Sequence, residues 1–189
     1  MANGAGIIAA VLVLLMGIGV AGYIISIFNG LIRLKNNIRK SWANIDVLLK
    51  QRSDELPKLI NSVKGYMKHE KSVLTELTKA RTDFLKANTM EKKASADNAI
   101  TGALKTIFAV AENYPNLKAS QNCKQLQKRI SGIENELADR REFYNDSVNN
   151  YNIRIESFPD MVVARMMNYH GEQMFKVAEK EKKDVKVRF

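Results

Sequence analysis

The chain has little of what most catalytic and secreted domains are built from. One cysteine among 189 residues cannot close an intramolecular disulfide, which excludes a disulfide-stapled domain. With only two histidines beside it, a dedicated zinc site of Cys and His has too few ligands. Ten glycines and three prolines are too few for a collagen-like or low-complexity chain. No charge of either sign occurs from Met1 to Ile32. What is present, 46% hydrophobic and 26% charged residues with a net charge of +10, is the composition of a folded protein. Its apolar residues are unevenly placed.

Ile7 to Phe28 is an apolar run of 22 residues in which Ser26 is the only strongly polar side chain. At about 1.5 Å per residue it reaches roughly 33 Å, enough for a hydrocarbon core of about 30 Å. A buried helix of a soluble protein seldom runs this long without a polar face. A cleaved signal peptide needs a basic n-region, a shorter apolar core and a small-residue cleavage site, and this run continues directly into Asn29-Gly30-Leu31-Ile32-Arg33. The pattern predicts a retained transmembrane helix. Arg33, Lys35, Arg39 and Lys40 follow it closely. The positive-inside rule then predicts a single-pass protein of the cell membrane, N-terminus outside and C-terminal part cytoplasmic. Cys123 suits such a reducing compartment. The same four basic residues are candidate contacts to anionic lipid, at about 1 kcal/mol each near the surface.

Gly17-Ile18-Gly19-Val20-Ala21-Gly22 spells the dinucleotide fingerprint GxGxxG. That chemistry needs a preceding strand and an acidic ribose partner about 20 residues on, and here the glycines lie mid-span before a basic stretch. They read better as packing residues. Gly17 and Ala21, and Gly22, Ser26 and Gly30, are small side chains at four-residue spacing, which lets membrane helices approach closely.

The rest reads as helices. Leu34, Ile38, Trp42, Ile45 and Leu49 form one apolar stripe, and Leu56, Ile60, Val63, Met67, Leu74, Leu77 and Phe84 a second. Between them Ser53-Asp54-Glu55 before Pro57 has the form of a helix start, so two helices folding back there are expected, with a kinked continuous helix as the alternative because the stripe hardly changes phase. A third helix is expected from about Ala94 to Tyr114 with Ala99, Ala103, Ile107 and Val110 inward. The longest is expected from about Ser120 to Glu156, its stripe being Leu126, Ile130, Ile133, Leu137, Tyr144, Val148, Tyr151 and Ile155, and a short helical turn from Met161 to Met167 follows. The organisation expected is an N-terminal tail and span over residues 1–32, an all-α helical domain over 33–160, and a short helix with a basic tail over 161–189.

Little in this chain carries catalytic chemistry. His69-Glu70 suggests HExxH, but the second histidine would fall on Val73. Cys123 lacks an obvious partner base. Asn145-Asp146-Ser147 is a glycosylation sequon in form only. Asp46 beside the first stripe, with Arg140 or Arg141 on the longest helix, is expected to form a partly buried pair that fixes helix register. Asn145 and Asn152, seven apart beside the seam, are candidates for the same role. Asn113 and Tyr114 belong to this polar set too. Residues 118–160 carry seven charges of each sign and lack the aromatic interleaving of a single-strand-binding protein. Anionic lipid is thus a better counterpart than nucleic acid.

Ser41-Trp42-Ala43-Asn44-Ile45-Asp46-Val47-Leu48-Leu49, then Arg52, Pro57, Val63-Lys64-Gly65-Tyr66 and His69-Glu70, open a longer series of motifs. They continue in Ala109-Val110-Ala111-Glu112-Asn113-Tyr114-Pro115-Asn116-Leu117-Lys118-Ala119, Leu126-Gln127, Arg140-Arg141, Tyr144-Asn145, Tyr151-Asn152 and Phe158-Pro159. In this order the chain resembles the LemA family of bacterial and archaeal membrane proteins, from about Ile27 to Phe158. It departs after Pro159, where Met166 to Gly171 is more polar than the family's apolar and aromatic segment. The resemblance implies an antiparallel up-and-down four-helix bundle on one N-terminal anchor, and neighbours that include membrane-bound zinc proteases and, in one branch, magnetosome membranes. It brings no catalytic residues with it. The expectation is a non-enzymatic scaffold or adaptor without metal or cofactor, acting on membrane proteins or on copies of itself. The alternative is a membrane-shaping or lipid-organising protein working through its basic juxtamembrane helix.

Overall fold

The computed structural model describes residues 2–67 and 70–175, and their regular structure is helical throughout. In chain order the helices are α1 (Ala2–Lys64), α2 (Lys71–Lys86), α3 (Met90–Ala111), α4 (Pro115–Ala119), α5 (Gln121–Glu156) and α6 (Asp160–Met166). His69 and the basic tail lie outside the described residues.

The first correction concerns Pro57. The expected fold-back there does not occur, and α1 runs through Pro57 to Lys64. A proline in a helix interior cannot donate to the carbonyl four residues back, and its ring pushes that carbonyl outward. Here the carbonyl is that of Ser53, and Arg81 Nε on α2 donates to it at 3.0 Å. Ser53 and Glu55, which had the form of a helix start, are buried side chains instead. The chain turns at Gly65, where the amides of Tyr66 and Met67 both reach back to the carbonyl of Val63. The second stripe is therefore shared between α1 and α2. In α3 the start moves earlier, to Met90, because the Thr89 side chain caps it by accepting from the Lys92 amide. Ala103 and Ile107 are buried as expected, whereas Ala99 is exposed.

The chain divides into two compact units. One comprises residues 2–41 and Tyr144–Met174, the other Trp42–Phe143 and Phe175. In the second unit the interior is apolar: Ile45, Leu49, Leu56, Leu59 and Val63 of α1, Leu77 and Phe84 of α2, Ile100 and Ile107 of α3, Ile133 and Leu137 of α5. Helix α2 packs on α3. Threaded through this core is a buried ion network. Asp97 of α3 accepts from Arg52 Nη1 of α1 at 2.7 Å and pairs through its other oxygen with Arg141 of α5. Thr101 also receives Arg52 Nη1, at 3.0 Å, and Glu134 pairs with the same guanidinium.

In the first unit the apolar run of α1 is exposed. Leu12, Val13, Leu14, Leu15, Met16 and Ile18 are each more than half accessible. Full exposure to water costs about 1.5–3 kcal/mol per such side chain relative to burial. Among the described residues this is the one helix long and apolar enough to cross a membrane. Burial begins at Ile27 and Leu31. Tyr144, Val148, Tyr151 and Ile155 of α5 and Val163 and Ala164 of α6 supply the rest of the unit's core. The Phe158–Pro159 peptide bond is cis. Two residues after α6, Asn168 has a φ of 53°, in the left-handed region that asparagine tolerates. Beyond it the chain continues without regular structure to Met174, a segment called the strap below.

Candidate functional site

Three places combine exposure with chemistry, and each lies within one unit. The first is the basic stretch after the apolar run. Arg33, Arg39 and Lys40 are exposed, with Arg33 Nε donating to the Asn29 carbonyl at 3.3 Å. Lys35 is engaged within its own unit. Its Nζ lies 4.4 Å from the Tyr169 ring centre and 3.9 Å from the Glu172 carboxylate. Three of the four candidate lipid contacts are thus exposed. Among the small residues, Gly17 and Gly22 have open space where a side chain would project, and Ala21 and Ser26 are exposed. Gly30 differs: a Cβ there would meet the Arg154 guanidinium at 3.2 Å. It is a packing position against α5 and does not continue the open stripe.

The second place is the strap. Asn152 clamps it by donating from Nδ2 to the Glu172 carbonyl at 3.0 Å and accepting at Oδ1 from the Glu172 amide at 2.9 Å. Gly171 passes close, since a Cβ there would lie 3.4 Å from Asn152 Oδ1. Tyr144 donates its hydroxyl to the Gln173 carbonyl at 3.1 Å. Burial and the nearby Glu172 charge raise the pKa of both Tyr144 and Tyr151 above the ordinary tyrosine value. The strap residues were read from sequence only as a polar departure. Asn152 was singled out, but its partner is main chain some 20 residues on, which no spacing rule reveals.

The expected pairing of Asp46 with Arg140 or Arg141 is corrected. Asp46 pairs with Lys93. Arg140 is exposed and reaches Glu136 one turn away, while the buried arginine, Arg141, goes to Asp97. Arg52, Asp97, Thr101 and Glu134 were not singled out. Asp97 sits next to Ala96 and three before Ile100, so a charge inside an apolar stripe was the available signal. Asn145 is half-buried on α5, Asn113 is exposed and Tyr114 precedes α4. Cys123 is buried, and desolvation raises its thiol pKa, which lowers its thiolate fraction and its reactivity. Among the described residues no group of three or more His, Cys, Asp or Glu could hold a metal ion.

The third place was missed altogether. An open groove of about 910 Å³ lies in the second unit along α2 and the end of α1. Its lining includes Ile60, Met67 and Leu74, and the charged residues around it are four lysines (Lys64, Lys71, Lys79 and Lys86) and one carboxylate, Asp83. The hydroxyls of Thr75, Thr78 and Thr82 are taken by carbonyls of their own helix, at 2.7, 2.8 and 2.9 Å. Such back-bonded threonines leave their methyl groups as contact surface. The recurrence of Lys71, Thr75, Thr78, Thr82 and Lys86 at helical spacing was visible in the sequence. Only the packing sets it beside Ile60 and Met67.

Comparison with known proteins points one way. The LemA family model matches residues 41–189. Protein LemA of Metamycoplasma hominis is 32% identical over 162 residues, 83% of this chain and 72% of that protein. Magnetosome protein MamQ 2 of Paramagnetospirillum magneticum is 22% identical over 174 residues, 78% of this chain and 64% of its own length. Magnetosome protein MamQ of Magnetospirillum gryphiswaldense is 26% identical over 80 residues, 42% of this chain and 29% of that protein. The chain thus spans less than two thirds of the magnetosome relatives' length.

Proposed function

The chain belongs to the LemA family, and we propose that it works as a membrane-anchored, non-catalytic scaffold or adaptor. The observation that carries this reading is the groove with its apolar floor and lysine rim. A surface of that kind suits an acidic amphipathic helix of a protein partner, whose apolar face fills the floor while its carboxylates meet the lysines. In the arrangement we favour, α1, α2, α3 and α5 form an antiparallel up-and-down bundle, with the apolar run of α1 as its anchor, the N-terminus outside and the packed domain cytoplasmic. Side-chain contacts of α1 with α2, α3 and α5 support the bundle. Partners within the same membrane fit best, among them a membrane-bound zinc protease or further copies of this chain.

The test is a photo-crosslinking amino acid placed at Thr75 or Lys79 in the full chain, activated in its native membranes. The expected result is one discrete adduct from these sites and none from the exposed Ser131. Equal, diffuse labelling from all three would overturn the reading.

The second reading, lipid organisation by the basic juxtamembrane helix, rests on the exposed Arg33, Arg39 and Lys40. Replacing these three with Gln is then expected to lower binding of the full chain's juxtamembrane segment to anionic vesicles steeply, and unchanged binding would exclude it.

A further inference from the structure

The first unit buries one face of α6 and leaves the other bare. Val163 and Ala164 are 7% and 1% exposed, whereas Val162 and Met166 are 48% and 82% exposed, and Phe158, one turn earlier, is 81% exposed. These three apolar side chains, four residues apart, have a defined depth along α1. Arg154 packs its guanidinium on Gly30 and donates from Nε to Asp160, the first residue of α6, at 2.7 Å. Gly30 is two residues past Phe28, the last residue of the apolar run, or about 3 Å along the helix axis. The α5–α6 corner is therefore fixed beside the last turn of the segment that would cross the bilayer.

We infer that this corner is a second membrane contact, in which Phe158, Val162 and Met166 form an apolar foot resting in the headgroup region. The inference rests on the apolar run of α1 being a membrane span. A bilayer is the occupant that continuity with that span supplies, since at this depth an outward apolar side chain meets the acyl boundary and not bulk water. Exposed Arg33 and Arg165 lie in the same unit, where phosphate groups would receive them.

The test uses the full chain carrying Cys123→Ser, reconstituted in liposomes of phosphatidylcholine and phosphatidylglycerol. Nitroxide labels go on single cysteines in Phe158→Cys, Met166→Cys, Ile18→Cys for the span, and Asp146→Cys for the aqueous part of α5. Relaxation by oxygen and by a water-soluble nickel chelate reports the depth of each. The expected result is an oxygen-to-nickel ratio at 158 and 166 severalfold above that at 146 and below that at 18. A ratio at 158 and 166 equal to that at 146, with 18 in lipid, would overturn the foot alone. A water-exposed label at 18 would overturn the span and the foot with it. Labels at 158 and 166 that are nickel-accessible in liposomes but immobilised in native membranes would assign this face to a protein, which also overturns the inference.

Discussion

Each of the two units has its own principal polar tie. In the unit of Trp42–Phe143 it is a buried ion network, with Asp97 between Arg52 and Arg141. In the unit of residues 2–41 and Tyr144–Met174 it is a set of side-chain bonds to main chain, with Asn152 and Tyr144 holding the strap. An ion network buried in an apolar core discriminates strongly between helix registers, because a shifted arginine would be left charged and unpaired. An asparagine clamp is less demanding of its partner, since any backbone amide and carbonyl serve it. The first arrangement suits a unit that must keep a surface groove in one shape. The second suits a segment that needs only to be tied down.

The largest test of this contrast is Asp97→Ala, which leaves the buried Arg141 guanidinium without its carboxylate and takes one partner from Arg52, which keeps Thr101 and Glu134, and it is expected to cost about 3–5 kcal/mol. Asp46→Ala, removing a partly exposed partner of Lys93, is expected to cost about 1 kcal/mol or less. Denaturant unfolding of the two variants compares them, and similar losses would break the account of the network.

Next comes Asn152→Ala, which removes both clamp bonds at about 0.5–1.5 kcal/mol each. Limited proteolysis of the strap between Asn168 and Met174 is expected to accelerate well before the second unit opens.

Arg81→Ala is expected to cost about 1–3 kcal/mol by leaving the Ser53 carbonyl without its donor. The sharper form is a double-mutant cycle with Pro57→Ala, which restores an amide four residues after Ser53. The two substitutions are expected to couple, with Arg81→Ala milder in the Pro57→Ala background; simple additivity would contradict the compensation.

The smallest effect is on pH dependence in the first unit. Tyr144 and Tyr151 have raised pKa values, so the unfolded chain releases these protons first. Stability from them is complete below the ordinary value of 10.0 and is lost as pH rises through it and toward the folded values. Ultraviolet titration is expected to lose late-ionising phenol when Tyr144→Phe or Tyr151→Phe is compared with the parent chain.

Legibility in the sequence followed the same division. Apolar periodicity located Ile38, Ile45 and Leu49 and the α5 series from Ile130 to Ile155, all buried, because burial of a helix face repeats at a fixed interval. The apolar run stood out by length and lack of charge alone. Pro57 misled because its local signals were those of a helix start, while the donor that lets the helix continue is Arg81, 28 residues from Ser53. Asp46 was sensibly suspected of ion pairing, but a charge has several candidate partners within reach and only the packing selects Lys93. The clamp at Asn152 was least legible, since its partner is backbone and carries no residue signature. The lysine-rimmed groove was not legible, because its lining joins Ile60 and Lys64 of α1 and the following Met67 to Leu74 and the Thr and Lys residues of α2.

The central claim is that this chain presents a surface to a protein partner from a membrane anchor. Native mass spectrometry tests it most directly, on tagged full-length protein extracted gently from its own membranes, side by side with a Lys64→Glu, Lys79→Glu variant. The account predicts a complex of fixed ratio, with a second polypeptide or with further copies, that the charge-reversed variant loses. A wild-type chain that flies as a bare monomer, or a complex indifferent to the reversal, would contradict it.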